Sequence, residues 1–152
     1  HSPVPHETAA RLAHSLRLPG RSSHVYAHET HWLLDAAISR EGVASALDNA
    51  RRTGRFDDAY TLVCMPDIKN LASILDLLNR DRTILATTHE DHLFFENYPN
   101  DWEIMPLPQA LTTIQSRSRN IIALGTMSFA AEMADYLGLD TETWIDPWAQ
   151  VQ

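Results

Sequence analysis

Apolar residues recur along the chain in two alternating rhythms. Ala9, Leu12, Ala13 and Leu16 stand at i, i+3, i+4 and i+7, the spacing of one face of a short helix, and Leu18-Pro19-Gly20 stops it. Apolar runs at 25–27 and 32–38, the second interrupted only by Asp35, predict two strands. Val43, Ala46, Leu47 and Ala50 then mark a helix face, 60–65 a strand, Leu71, Ile74, Leu75 and Leu78 a helix face, and 83–87 a strand. A short strand at 103–105, a helix bearing Leu107, Ala110, Leu111 and Ile114, a strand at 120–125 and a last long helix carrying Phe129, Met133, Tyr136 and Leu137 complete the series. Residues 90–101 read as one long irregular loop, and Trp144 and Trp148, four apart, are spaced to pack one edge of a terminal helix onto the body. Strands apolar on both faces, alternating with amphipathic helices, are the mark of a parallel sheet covered on both sides. The expected class is therefore α/β.

A length of 152 residues supports one buried core and not two. The 44% apolar and 21% charged residues are ordinary for a folded domain, and no apolar stretch approaches the about 20 residues that cross a bilayer. Twelve basic against twenty acidic residues give a net charge of -8, a field that repels a nucleic-acid backbone or an anionic membrane, so neither is an expected partner. Cys64 is the only cysteine and has no internal partner, and the first residues lack the basic-then-apolar layout of a secretory signal. A cytoplasmic setting is the expectation.

Candidate chemistry is narrowed by what the glycines and the lysine do not form. Lys69 is the single lysine and follows no glycine, so there is no GxxxxGK[ST] loop, and the five glycines are too scattered for GxGxxG. In doubly covered sheets, ligands collect beyond the carboxyl ends of the strands. Those places hold Asp35 and Ser39, Pro66-Asp67, Thr87-Thr88-His89 and Gly125-Thr126. His28 with His31, and His89 with His92, each pair two imidazoles three apart near carboxylates, without the HExxH spacing of zinc hydrolases. They read as solvated loop histidines, and no metal site is assigned. Cys64 is followed by Met65-Pro66-Asp67, where Pro66 removes an amide donor and Asp67 opposes an anion, so it reads as a buried, inert thiol.

The stretch LPGRSSHVYAHETHWLLDAAISREGVASAL, residues 18–47, has a distinctive layout. Pro19-Gly20-Arg21 precedes an apolar strand ending in Asp35-Ala36-Ala37-Ile38-Ser39-Arg40, and a helix follows. This resembles the C-terminal domain of the Mur ligase superfamily, most closely folylpolyglutamate synthase/dihydrofolate synthase, where a PGR element enters the domain and a strand ends in DGAHNP. The segment 64–71, with Asp67, is similar to a worn form of the family's G-x-x-x-DKD loop, and Leu124-Gly125-Thr126-Met127-Ser128-Phe129 to the GS-L-Y segment that opens its final helix. The resemblance spans nearly the whole chain in order.

It implies a Rossmann-like, three-layer domain with a mostly parallel six-stranded sheet whose first strand is antiparallel. Residues 1–17 would be the end of a preceding domain or a linker helix, and 18–152 the Mur ligase-like C-terminal domain. In the family this domain closes over a central ATPase domain of the same protein. A carboxylate is phosphorylated there by ATP with Mg, and the amine of an amino acid, glutamate in the folate enzymes, attacks the acyl phosphate. Carried over, Arg21 meets ATP phosphates with its fixed fork of donors, Asp35 accepts from the ribose hydroxyls, and Ser39 is the third residue expected to bind the nucleotide. Thr126, with Ser128, helps place the amino-acid substrate at a helix N-terminus. No residue of this domain is expected to be catalytic by itself, and the isolated domain is expected to be inactive. The sequence departs from the family at Ile38 and Ser39, where DGAHNP has His and Asn, and at Ile68, where a lysine is expected. These departures leave the alternative of a non-catalytic binding or interaction module that retains the fold.

Overall fold

The computed structural model describes residues 20–67 and 70–140. The helix read at 9–16, the boundary at residue 17, the Trp144/Trp148 pair and Ile68-Lys69 lie outside the described residues. Strands β1 (Ser23–Ala27), β2 (Thr30–Asp35), β3 (Tyr60–Cys64), β4 (Thr83–Thr87), β5 (Glu103–Pro106) and β6 (Asn120–Gly125) form one sheet in the order β1-β2-β6-β3-β4-β5. Every neighbouring pair is parallel except β1 with β2. This is the α/β class and the six-stranded, mostly parallel sheet with an antiparallel first strand that the sequence and its resemblance imply.

The antiparallel pair is closed by two residues, His28 and Glu29, both in the left-handed region with φ of 52° and 55°. Such a turn matches the twist of the flanking strands, and it explains why β1 returns directly beside β2. The register Ser23↔Leu34 then carries the segment entering at Gly20 to the carboxyl end of β2.

Alternation along the strands feeds two cores. Trp32, Leu34, Leu62, Ile84, Ile121 and Ala123 point to one face. There they meet α3 (Leu107–Arg117) through Ala110, Leu111 and Ile114, and α4 (Met127–Tyr136) through Phe129 and Met133. Leu33, Val63, Leu85, Ile122 and Leu124 point to the other, against Val43, Ala46 and Ala50 of α1 (Arg40–Arg52) and Leu71, Ile74 and Leu75 of α2 (Leu71–Leu75). Both faces are thus buried, which is why the strands read as continuous apolar runs.

Two elements end earlier than their apolar residues suggest. The run 32–38 stays extended only to Asp35, because the Ala36 amide turns to the Gly20 carbonyl instead of continuing the ladder. Ala36 and Ala37 remain buried all the same. The helix expected to reach Leu78 stops at Leu75, and a 3-10 turn at Arg80–Arg82, capped by the Asn79 side chain on the Asp81 amide, leads into β4.

Candidate functional site at the carboxyl rim

The register brings the ends of three strands together. Asp35 pairs with Leu124, and Cys64 with Gly125, so the residues following β2, β6 and β3 share one rim. Gly125 is required there: a Cβ would stand 2.4 Å from the Cys64 carbonyl oxygen and 2.4 Å from the Phe129 ring. The polar groups of this rim fall into two sets.

The first set surrounds Asp35, whose side chain is 7% exposed. Its Oδ2 accepts from the Ser22 amide at 2.9 Å and the Ser22 hydroxyl at 3.0 Å. Asn49 of α1 donates to the same hydroxyl at 2.9 Å, which ties the 20–22 turn to the helix. Ser22 holds φ of 44° and Gly20 of 70°, so the turn is left-handed at both. The second carboxylate oxygen, Oδ1, is buried without a hydrogen-bond partner and lies 3.6 Å from the half-exposed Arg21 guanidinium. A buried, unpaired carboxylate oxygen costs free energy unless a donor reaches it. Arg21 and Asp35 are thus brought together as an ion pair with acceptor capacity left over.

Ser39 plays a different part locally. Its hydroxyl accepts the Gly42 amide at 3.0 Å and caps α1, whose first turn carries Glu41 and whose last carries Arg51 and Arg52, both favourable to the helix dipole. The adjoining Ile38, where the family has a histidine, is 48% exposed.

The second set lies on the α3/α4 face of the sheet. Thr126 caps α4, accepting the Phe129 amide at 3.2 Å, and its hydroxyl lies 2.9 Å from that of Ser128. Both hydroxyls line a narrow cleft with Cys64, Thr88, Glu90 and Glu132. About 10 Å³ is open in it, the room of one water molecule. Thr88 Oγ1 is buried here without a partner. Burial, and then the nearby Glu90, push the Glu132 carboxyl above the usual carboxylate range. Burial, with Glu132 and Glu90 behind it, pushes the Cys64 thiol up to about 12, so it is no nucleophile at neutral pH. Two carboxylates in so tight a cleft oppose an incoming carboxylate and favour an ammonium group.

Arg21 and Asp35 therefore meet one another, and Thr126 and Ser128 meet one another, on opposite faces of one rim. The start of α4 links them: a Cβ at Gly20 would touch Ala130 and Met127 at 3.2 and 3.7 Å. Sequence reasoning missed Ser22, Asn49, Glu90 and Glu132. Ser22 sits in plain view after Pro19-Gly20-Arg21, yet nothing local marks it as the partner of a residue thirteen positions away.

Asp67 and the histidines have other duties. Asp67 accepts from the amides of Glu96 at 3.2 Å and Asn97 at 2.9 Å, so its carboxylate fastens the 90–101 loop. His28 packs edge-on to Tyr136, and His92 lies 3.3 Å from Glu90. Among the described residues no three His, Cys, Asp or Glu side chains come close enough to hold a metal ion, and no helix is long and apolar enough to cross a membrane.

No family model matches the sequence, and no curated protein matches it. Among solved structures, the crystal structure of folylpolyglutamate synthase from Thermotoga maritima matches with a TM-score of 0.65 at 19% identity. The match covers 94% of this chain and 36% of that one, so this chain shares the fold of a part of that enzyme and spans little more than a third of its length.

Proposed function

We propose that the chain is the C-terminal, nucleotide-closing and amino-acid-binding domain of an ATP-dependent ligase that forms amide bonds, resembling folylpolyglutamate/dihydrofolate synthase. The observation that carries this reading is the Arg21–Asp35 pair at the end of β2, with one carboxylate oxygen buried and unpartnered. That oxygen suits a hydroxyl donor such as a ribose, and the half-exposed guanidinium suits a phosphate. Asp35 binds hydroxyls, Arg21 holds phosphate charge, and Ser39 keeps α1 in register beneath them. Thr126 and Ser128 offer hydroxyls to the amino-acid substrate, with Glu132 and Glu90 favouring its ammonium over its carboxylate. ATP supplies the activating phosphoryl group. Mg would accompany the ATP phosphates, shared with the central ATPase domain over which this rim closes. Ile38 and Met127, 48% and 57% exposed beside the rim, are apolar surface for that domain to cover.

The test is ATP-dependent addition of glutamate to a folate by the whole parent polypeptide. Arg21→Ala and Asp35→Asn are each expected to lower kcat/KM at least tenfold while the domain keeps its melting temperature within a few degrees. Wild-type rates in both variants would remove the site assignment.

Ile38 favours a second reading. An exposed aliphatic side chain cannot make the polar contacts of an imidazole, and the Ser39 hydroxyl is engaged in its cap. On this reading the domain is a non-catalytic binding or interaction module in the cytoplasm. An inactive parent polypeptide that still binds ATP would favour it.

A further inference from the structure

Far from the carboxyl rim, at the opposite ends of β2 and β6, a cavity of about 300 Å³ opens beside the β1–β2 hairpin. This is the lower end of the size range of small-molecule sites. His24 and Tyr26 of β1, His31 at the start of β2, and Arg55 and Phe56 after α1 line it, on the α1 face of the sheet.

The lining is unusual for this chain. The protein carries a net charge of -8, yet among the described residues no carboxylate lines the cavity. Arg55 Nη1 lies 2.6 Å from His31 Nε2. The same Nη1 lies 3.2 Å from His31 Nδ1, and since a guanidinium only donates, the imidazole ring accepts from it. One of the five guanidinium hydrogens is engaged there, which leaves donors of the rigid fork for a ligand. The Tyr26 ring is 65% exposed and tilted against His31 at 4.6 Å between centroids. His24 meets Phe56 edge-on at 5.6 Å. Flat faces and a fixed cation thus stand side by side, and the two histidines and the tyrosine add polar edges.

We infer that this cavity is a binding site for a flat aromatic ring bearing an anionic group, of which a nucleoside monophosphate is the representative. The base stacks against Tyr26, and the phosphate takes the free donors of Arg55. Stacking tolerates any base, so the site selects for the combination of ring and anion more than for a particular base. The inference is independent of the ligase reading, because it uses no residue of the rim.

The 152-residue chain is titrated with adenosine monophosphate, adenosine and inorganic phosphate, followed by calorimetry and by amide shifts in nuclear magnetic resonance. Saturable binding of the monophosphate is expected, at least tenfold tighter than either adenosine or phosphate alone, with the largest shifts at residues 24–31 and 55–56. Arg55→Gln and Tyr26→Ala change exposed side chains, so both variants keep the fold, and each is expected to weaken binding at least tenfold. Absence of saturable binding, equal affinity for phosphate alone, indifference to both Arg55→Gln and Tyr26→Ala, or shifts that spare residues 24–31 and 55–56 would each overturn the inference.

Discussion

Tyr98 is the residue that makes the long loop part of the body. Its hydroxyl donates to the Ala86 carbonyl at 3.1 Å and accepts the Met65 amide at 3.0 Å, which stitches the ends of β4 and β3 from above. Burial pushes its phenol up, so it stays a neutral donor throughout the physiological range. Tyr98→Phe leaves a buried amide and a buried carbonyl without partners and is expected to cost about 1–3 kcal/mol in urea unfolding. A loss near zero would mean that solvent already reaches both groups. The polar contacts that matter at this scale were poorly legible in the sequence. Asp35 was readable because it breaks an apolar run at a strand end, whereas its partners Ser22 and Asn49, and the loop-fastening role of Asp67, depend on chain segments meeting from a distance. Cys64 was readable as inert because Pro66 and Asp67 sit beside it, and its burial agrees.

Elements were legible where burial and hydrogen bonding coincide. Residues 83–87 and 120–125 are strands because both their faces are covered, so apolar side chain and ladder end together. They diverge at Ala36 and Ala37 and at Leu77 and Leu78, where side chains still pack against the core after the ladder or helix has stopped. Apolar pattern reports only the first of these two requirements. At the far edge of the sheet, β5 is short and mostly exposed, and it is held to α3 by the forked pair of Arg117 and Glu103, at 2.6 and 2.8 Å. The Arg117 hydrogen bonds hold the Glu103 carboxyl below its ordinary value of 4.5. A carboxylate with a lowered folded value contributes stability that is complete above the unfolded value and is lost as pH falls through the folded one. Both side chains are more than a third exposed, and solvent screening reduces the pair to about 0.5 kcal/mol. Arg117→Met is therefore expected to be less stable than the wild type at pH 7 by about that amount. The gap should shrink as pH falls from the ordinary carboxylate range through the lowered folded value, and one that persisted after Glu103 is protonated would assign the loss to packing instead.

At the scale of the whole molecule, the three-layer α/β architecture follows from the pattern, but the strand order does not. Nothing in residues 120–125 distinguishes a central strand from an edge one, since every internal strand of a doubly covered sheet is equally apolar. Their position between β2 and β3 is settled by which helices cross which face: α1 and α2 cover one side, α3 and α4 the other. The last of the described strands thereby becomes the keystone of the sheet. Before it is made, β1 with β2 and β3 with β4 and β5 are two ribbons that share no ladder. A polypeptide stopped at residue 119 is expected to show no cooperative thermal transition, and a sharp melt would contradict the central role of β6. During synthesis on a ribosome, the two ribbons must wait, with open strand edges exposed, until residues 120–125 have cleared the exit tunnel. The growing chain is then most in need of a chaperone in the interval between completion of β5 and emergence of β6, when the facing edges of β2 and β3 have no strand between them.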